Sequence, residues 1–348
     1  MNHVLKLSIC IPTYNFGKFI GQTLDSILIE LRDDVEVIIL DGGSTDNTPE
    51  VVSQRQATHP EIRYIKQKYR GGIDRDIETV VSLAGGKYCW LFSADDLMMP
   101  GALDKVLAAI KSEDDLYLCE SVICDLNMKV VRNNPVFNGI NSHYRFDLSD
   151  EKDRVLYFEK AATSEAFFSY LGGSIFRADV WSKAESIPES FYGTCWMQAG
   201  RFLSLMPSGL SVYFLGEKLI YKRGDNDSFS HNGIIDRFRI SVEGFNHISQ
   251  FIFGKNSLEV VNINRVVRNE WPLTRLLWLK TLGDKNEINN SEMLDCVVRQ
   301  YYCNDFPGKT LSHFIYSNTP VSFVRFLLLI KARTIKNFIE KSVRRLKT

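Results

Sequence analysis

The sequence has no apolar run long enough to cross a membrane as a helix. Such a helix needs about 18 to 20 apolar residues. The longest candidate, residues 321–330, has ten residues and contains Arg325. The apolar stretch near the N-terminus is too short for the core of a signal peptide. We therefore expect a cytoplasmic protein, or one that lies on the cytoplasmic face of a membrane.

Neither sign of charge predominates, because 42 Lys and Arg residues stand against 42 Asp and Glu residues. A chain without net charge produces no overall field that attracts a polyanion, so we expect no nucleic-acid partner. An anionic ligand must therefore be held by a local cluster of donor groups.

Cysteine is scarce and is not arranged in pairs. The seven cysteines are odd in number, form no C-x-x-C pair, and in part stand inside apolar runs such as SICIP and YCWLF. This pattern favours buried, reduced thiols. The six histidines lie apart from any cysteine pair, so a zinc site is not predicted.

Two common nucleotide-binding loops are also absent. No G-x-G-x-x-G follows the first apolar run, and no G-x-x-x-x-G-K-[ST] occurs anywhere in the chain. The sequence therefore predicts neither a dinucleotide-binding Rossmann site nor a P-loop.

What the sequence does contain is a regular alternation of two patterns over its first hundred residues. Short apolar, β-branched runs predict strands, and apolar residues at helical spacing predict helices between them. The predicted strands are residues 5–11, which Pro12 ends, and 35–40, 62–65 and 88–92; the predicted helices are 20–31, one starting at Pro49 with Thr48 as N-cap, 74–84 and 100–111. Such alternation predicts an α/β fold with a parallel sheet covered on both faces.

Four polar segments follow the predicted strands: residues 12–15, 41–46, 68–72 and 93–96. Ligands of open α/β sheets bind at the carboxyl ends of the strands, so we expect these segments to share one edge. Asp95 and Asp96 are oxygen ligands of the kind that Mg²⁺ and Mn²⁺ prefer. The same pair is also common at a helix N-terminus, where acidic residues interact favourably with the helix dipole.

Other residues of this edge have the chemistry to bind a nucleotide diphosphate. Tyr14 offers a face for stacking a base, and Asp41 can accept a hydrogen bond from one. Gly71 and Gly72 allow close backbone approach, and the arginines at positions 70 and 75 can pair with phosphates. Each also has a structural interpretation, since Tyr14 and the glycines could shape ordinary turns.

Three segments in order, LSICIPTYN, VIILDGGSTDNT and GGKYCWLFSADDLMMPGAL, resemble the motifs of the family 2 glycosyltransferases. The resemblance implies the GT-A fold, a nucleotide-sugar donor and a divalent cation, Mn²⁺ or Mg²⁺. It implies that residues 1–235 form the transferase domain, with a nucleotide-binding half (1–110) and an acceptor half (111–235), and that 236–348 is a helical C-terminal region.

The resemblance also assigns roles to individual residues. The donor-binding positions are Pro12, Thr13, Tyr14, Asn15, Asp41, Gly71, Gly72, Arg75, Ser93, Arg223, Ser228 and Ser230. Asp95 resembles the metal ligand, with Asp96 beside it, and His231 is a candidate to complete the metal shell. The segment YKRGDNDSFSH resembles the family loop that folds over the diphosphate.

Two positions depart from the family pattern. Ser93 replaces the first aspartate of D-x-D-D, and Gln198 stands where inverting members carry a catalytic-base carboxylate. GGIDRD followed by YCWLFSADD resembles the abequosyltransferase branch, which implies a CDP-sugar, a lipid-linked mannose acceptor and retention of configuration. Glu165 is the first alternative base. Other interpretations are an inverting UDP- or dTDP-sugar transferase, a nucleotidyltransferase and a non-catalytic nucleotide-sugar-binding protein.

The C-terminal segment, residues 321–348, combines an apolar stripe with eight Lys and Arg residues against one acid, Glu340. This pattern is typical of a helix that lies in the plane of an anionic membrane surface. It also fits a terminal helix that packs on the protein body. For an enzyme with a lipid-linked acceptor, we expect binding to the inner-membrane surface.

Overall fold

The computed structural model describes residues 4–184, 187–226, 233–283, 288–302 and 307–330. The strands are β1 (Leu7–Thr13), β2 (Val35–Asp41), β3 (Ile62–Lys66), β4 (Tyr88–Leu91), β5 (Leu97–Met98), β6 (Leu116–Cys124), β7 (Val130–Asn134), β8 (Tyr144–Asp147), β9 (Ser174–Arg177) and β10 (Ser211–Arg223). The helices are α1 (Ile20–Leu28), α2 (Thr48–Gln56), α3 (Ile73–Ser82), α4 (Ala102–Ala109), α5 (Glu151–Lys160), α6 (Ala178–Lys183), α7 (Met197–Leu205), α8 (Ile234–Phe253), α9 (Leu258–Glu270), α10 (Leu273–Gly283), α11 (Ile288–Tyr302) and α12 (Pro307–Asn318). Residues 321–330 are also helical.

The described strands form one mixed sheet with the order β3-β2-β1-β4-β9-β6-β10-β5, and β7 and β8 pair with β6 and β10. Strands β1 to β4 are mutually parallel where they pair, and β9 runs antiparallel between β4 and β6. Every residue of β1 and β2 is buried, which explains why these strands are almost continuous apolar runs. The predicted α/β fold is confirmed, with the parallel part in the first hundred residues.

Several predicted boundaries were wrong by one to three residues, and two of them lie at a proline. Pro12 does not end the first strand, because β1 continues to Thr13 in register with β2. The pairing of β1 with β4 stops at Cys10, so the missing N–H of Pro12 leaves no ladder bond unmade on that side. Helix α2 begins at Thr48, with Asn47 as the N-cap residue.

The chain divides into two compact units. The first comprises Met1–Asp227 and Gly244–Val267, and the second comprises Ser228–Glu243 and Arg268–Thr348. Within the second, the rings of Phe238 and Trp271 lie 5.1 Å apart, and the Tyr302 hydroxyl donates to the Trp271 carbonyl. The predicted helical C-terminal region is confirmed. Among the described residues, no helix is both long enough and apolar enough to cross a membrane.

Candidate active site at the carboxyl edge of the sheet

The carboxyl ends of the first three parallel strands lie side by side. Thr13 at the end of β1 is in register with Asp41 at the end of β2, and Asp41 is in register with Lys66 at the end of β3. Strand β4 runs parallel to β1 and leads into Ser93. The predicted gathering of polar segments at one edge is therefore confirmed.

The segments after β1 and β2 are locked together by hydrogen bonds from Asn15. Its backbone has a φ of 59°, in the left-handed region that asparagine tolerates better than most residues. Its N–H donates to Ser44 Oγ (2.8 Å), and its Oδ1 accepts from the N–H groups of Thr45 (2.8 Å) and Asp46 (3.3 Å). In this structure Asn15 therefore holds the segments after β1 and β2 together.

Asp41 and Tyr14 stand at the centre of this edge. Asp41 is fully buried; its Oδ1 accepts from the Ser44 N–H (2.6 Å) and its Oδ2 from the Tyr64 hydroxyl (2.5 Å). Burial and the adjacent Asp41 carboxylate raise the pKa of Tyr64, which keeps that hydroxyl a donor. The Tyr14 ring is half-buried, and the Arg70 guanidinium lies 4.2 Å from its centroid. Pro12 is buried behind them.

The two glycines after β3 lead directly into α3. Gly72 has a φ of 87°, a conformation that side-chain-bearing residues rarely adopt, and α3 begins at the next residue. Arg75 does not lie with Tyr14 and Asp41. Its guanidinium is 4.7 Å from the Tyr192 ring centroid and pairs with Glu189, in the segment that precedes α7.

Asp74 connects the start of α3 to the segment that precedes α7. Its buried carboxylate accepts hydrogen bonds from the backbone N–H groups of Gly193 (2.7 Å), Cys195 (3.1 Å) and Met197 (3.2 Å). Burial raises the pKa of Asp74, and these three donors oppose that shift. A carboxylate that sequence reasoning did not single out thus fastens the start of α3 to the start of α7.

Asp95 and Asp96 are both buried, with exposed fractions of 8% and 2%. Asp95 Oδ2 accepts from Asn226 Nδ2 (2.7 Å). Asp96 Oδ1 accepts from the Arg223 backbone N–H (2.7 Å), and its Oδ2 accepts from the Tyr170 hydroxyl (2.6 Å). The two carboxylates therefore differ: protein donors occupy both oxygens of Asp96, whereas Asp95 Oδ1 accepts nothing from a described side chain.

The electrostatics of this pair are governed by burial. Burial, followed by repulsion from Asp96, raises the pKa of Asp95 to about 7, although the hydrogen bond from Asn226 and the charge of Arg223 oppose the shift. Burial also raises the pKa of Asp96, against hydrogen bonds from Tyr170 and Ser93. Ser93 is half-buried, and its side chain interacts with the Asp96 carboxylate. A cation at this position would relieve the repulsion.

The side chains around Asp95 and Asp96 suit a divalent cation that takes some of its ligands from elsewhere. Among the described residues, no three His, Cys, Asp or Glu side chains converge as a complete metal-binding set. Mg²⁺ and Mn²⁺ nevertheless bind at sites where one or two carboxylates are supplemented by phosphate oxygens and water. Asp95 Oδ1 accepts from no described side chain and fits such a site, and Asp96 fits a supporting position because its oxygens are already bonded.

The Arg223 guanidinium is buried within the protein. Its Nε donates to the Asp95 carbonyl (2.8 Å), its Nη1 to the Leu126 carbonyl (2.6 Å) and its Nη2 to Gln22 Oε1 (2.8 Å). The carbon of the guanidinium lies 4.8 Å from the Phe19 ring centroid. In this structure the side chain fixes the backbone around the carboxylates. The remaining residues assigned to the same loop, Ser228, Ser230 and His231, lie outside the described residues.

Glu165 is linked to Asp96 by two intervening side chains, Lys222 and Tyr170. Lys222 Nζ donates to Glu165 Oε1 (2.6 Å) and lies 3.9 Å from the centroid of the Tyr170 ring, whose hydroxyl binds Asp96. Glu165 is 5% exposed, and its Oε2 has no hydrogen-bond partner among the described residues. The sequence analysis missed both Lys222 and Tyr170, because their roles depend on contacts between distant parts of the chain.

Gln198 lies buried at the start of α7. Its Nε2 donates to the Phe168 carbonyl (3.5 Å), immediately after the short helical turn that carries Glu165, and its Oε1 has no partner among the described residues. The position that departs from the family pattern therefore holds a neutral amide facing the turn of Glu165.

Known proteins share sequence with this chain at two levels, a family domain and a full-length relative. Residues 8–170 match the family described as "Glycosyl transferase family 2". Over 344 residues, 97% of this chain and 99% of the other, the chain is 27% identical to "Abequosyltransferase RfbV" of Salmonella typhimurium. Residues 8–170 therefore form a glycosyltransferase family 2 domain, and the chain as a whole resembles an abequosyltransferase. The predicted resemblance to the abequosyltransferase branch is therefore confirmed.

Solved structures show the same fold for this glycosyltransferase. TarS 1-349 of S. aureus, in complex with UDP-GlcNAc, superposes with a TM-score of 0.58 at 15% identity, covering 97% of this chain and 92% of that one. The mannosyltransferase PcManGT of Pyrobaculum calidifontis, in complex with GDP-Man and Mn²⁺, superposes with a TM-score of 0.51 at 15% identity, covering 98% and 89%. At this identity the likeness establishes the GT-A fold alone.

Proposed function

We propose that this glycosyltransferase transfers a 3,6-dideoxyhexose such as abequose from a CDP-sugar to a mannose of a lipid-linked O-antigen unit. The observation that carries the proposal is the juxtaposition at one sheet edge of a half-buried aromatic ring, a buried carboxylate and a second carboxylate with an oxygen that accepts from no described side chain. The similarity to an abequosyltransferase over 97% of the chain supports the choice of donor and acceptor.

The proposed roles follow from these positions. Tyr14 stacks on the base and Asp41 accepts a hydrogen bond from it, while the backbone at Gly71 and Gly72 approaches the donor closely. Asp95 holds the divalent cation, Mn²⁺ or Mg²⁺, and Asp96 supports Asp95 from within the protein. The bound cation offsets the negative charge that develops on the departing diphosphate. A structural neighbour of the same fold has been determined with Mn²⁺, which agrees with this choice of cofactor.

We expect transfer with retention of configuration. The bond between the anomeric carbon and the phosphate oxygen breaks, the acceptor oxygen bonds to that carbon on the same face, and the departing phosphate oxygen takes the acceptor proton. No side-chain base is then required at Gln198, whose amide cannot accept that proton at neutral pH. The anomeric configuration of the product, determined by NMR after incubation with CDP-abequose and a mannosyl acceptor, should match that of the donor.

An inverted product would contradict retention. It would require a carboxylate base in the acceptor half, and Glu165, Glu189 and Asp225 are the positions to substitute next. The absence of any transfer from CDP-abequose, with transfer from another nucleotide-sugar, would contradict the donor assignment and leave the family assignment unaffected.

We also propose that the C-terminal region places the enzyme on the anionic cytoplasmic surface of the inner membrane. In the helical segment 321–330, Phe323, Phe326 and Leu329 have exposed fractions of 51%, 56% and 60%, and Phe314 of α12 is 62% exposed. Exposed aromatic and aliphatic side chains in such numbers are typical of an interaction surface. Seven further Lys and Arg residues follow at positions 331–348, outside the described residues.

Deleting residues 321–348 should abolish flotation of the enzyme with anionic vesicles while activity on a soluble acceptor persists. Each basic residue near an anionic surface contributes on the order of 1 kcal/mol, so binding should also weaken with salt. A four-charge variant isolates the electrostatic part: Lys336→Gln, Lys341→Gln, Arg344→Gln and Lys347→Gln. Its matched control removes the same charge elsewhere: Lys111→Gln, Lys152→Gln, Lys160→Gln and Lys183→Gln. Equal flotation of the deleted and intact chains would contradict the proposal.

A further inference from the structure

Asp76 is a buried carboxylate to which neither the sequence motifs nor the proposed function assigns a role. It lies in the first turn of α3, with an exposed fraction of 4%. Its Oδ1 lies 3.3 Å from the amide nitrogen of Gln67, with that amide oriented to donate, and its Oδ2 has no hydrogen-bond partner among the described residues. Because no described protein group donates to this oxygen, it is available to a donor group of a ligand.

The carboxylate of Asp76 lies against the two donor-site segments. A Cβ on Gly42 would lie 2.7 Å from Asp76 Oδ2, and a Cβ on Gly71 would lie 3.2 Å from Asp76 Oδ1. Gly42 directly follows Asp41, and its N–H donates to the Thr13 carbonyl (2.8 Å). The absence of side chains at both glycines therefore makes room for Asp76 next to the base-reading aspartate.

Groups of both charges surround the Asp76 carboxylate. Burial raises the pKa of Asp76 to about 6, with the Asp41 charge adding to the shift and Gln67 and Arg70 opposing it. The Arg70 guanidinium in turn covers the Tyr14 ring. The Thr13 hydroxyl is buried and also lacks a partner among the described residues. Asp76 thus lies beside the segment of Asp41, to which the proposed function assigns the nucleobase.

We propose that Asp76, acting beside Asp41, makes the donor pocket select cytosine over uracil. The inference rests on the proposed function, because it presumes that this edge holds the base of the donor. An ionised carboxylate only accepts hydrogen bonds. The 4-amino group of cytosine presents two N–H donors, whereas uracil carries at the same position a carbonyl oxygen that only accepts.

The chemistry makes the discrimination one-sided. Cytosine can donate one N–H of its amino group to Asp76 while the other remains directed toward Asp41 or solvent. Uracil would place its O4 against a buried carboxylate oxygen, leaving two acceptors facing each other without a proton between them. A site built for a hydrogen-bond donor rejects an analogue that lacks it more strongly than a hydrophobic pocket rejects a change in size.

The test compares the affinities of CDP and UDP for the intact chain by calorimetry in the presence of Mn²⁺. We expect the wild type to bind CDP at least about tenfold more tightly than UDP. In Asp76→Asn the amide can donate to O4 of uracil, so the preference for CDP should fall by about tenfold, with UDP binding improved. Glu61→Gln removes a carboxylate just before β3, at the opposite end of the strand, and should leave the preference unchanged.

Equal affinities of the wild type for CDP and UDP would overturn the inference without reference to any variant, so it stays testable even if Asp76→Asn does not fold. A folded Asp76→Asn protein that keeps the wild-type preference would also overturn it. Failure of the proposed function has a different signature, in which the wild type binds neither CDP nor UDP.

Discussion

Asp95→Asn is expected to lower kcat/KM by about a thousandfold while the protein remains folded. Asp95 Oδ1 is a carboxylate oxygen at the sheet edge that accepts from no described side chain, and an amide oxygen is a much weaker ligand for a divalent cation. The substitution also removes a buried charge that Asp96 repels. The melting temperature should therefore not fall, and transfer assays at saturating Mn²⁺ measure the loss.

The pH profile of the wild type provides a second readout of the same group. Because the pKa of Asp95 in the free protein is raised to about 7, the carboxylate is protonated below that pH and ionised above it. Cation binding requires the ionised form, so kcat/KM should fall as the pH drops below about 7 and level off above it. Asp104→Asn, on the exposed face of α4, is the matched control. Full activity of Asp95→Asn, or of the wild type in EDTA, would contradict the metal assignment.

Lys222→Met is expected to destabilise the folded protein by about 2 kcal/mol, because it leaves the buried Glu165 carboxylate without its cation. Lys222 Nζ donates to Glu165 Oε1 at 2.6 Å, and Glu165 Oε2 already lacks a partner among the described residues. The Lys222 side chain is 31% exposed, which places the cost below that of a fully buried pair. Urea denaturation measures the change in the free energy of unfolding.

Two companion variants separate this effect from a general loss of packing. Lys218→Met changes an exposed lysine of the same strand and should alter the free energy of unfolding by less than about 0.5 kcal/mol. Glu165→Gln added to Lys222→Met removes the orphaned charge and should recover at least half of the loss. A double variant no more stable than Lys222→Met would show that the buried charge is not the cause.

The parallel half of the fold could be predicted from the sequence because its strands are buried on both faces. Strands β1, β2 and β4 have no exposed residue, so their apolar runs are unmistakable and the polar residues that end them mark the sheet edge. The antiparallel strands of the second half were harder to predict. Strand β10 has no regular alternation of buried and exposed residues over its 13 positions, and β7 is mostly exposed.

The candidate site could be predicted where a residue acts at the end of its own strand. Asp41 and Asp95 follow buried strands, and their positions at the edge follow from the parallel register. Residues that act across the fold were not predictable in this way. The Tyr170 hydroxyl donates to Asp96, and the Arg223 guanidinium donates to Gln22, 201 residues earlier in the chain. Such pairings depend on the mixed strand order, which no local sequence pattern encodes.

We propose that this sheet edge binds a pyrimidine nucleotide diphosphate through Asp95 and a divalent cation. Thermal unfolding of the 348-residue chain with Mn²⁺ and each of CDP, UDP, GDP, dTDP and ADP tests it directly, since a ligand that binds the folded state raises Tm. We expect CDP to raise Tm most, and the increase to disappear in EDTA and to shrink in Asp95→Asn. Protection by GDP or ADP, with none by CDP or UDP, would contradict the account.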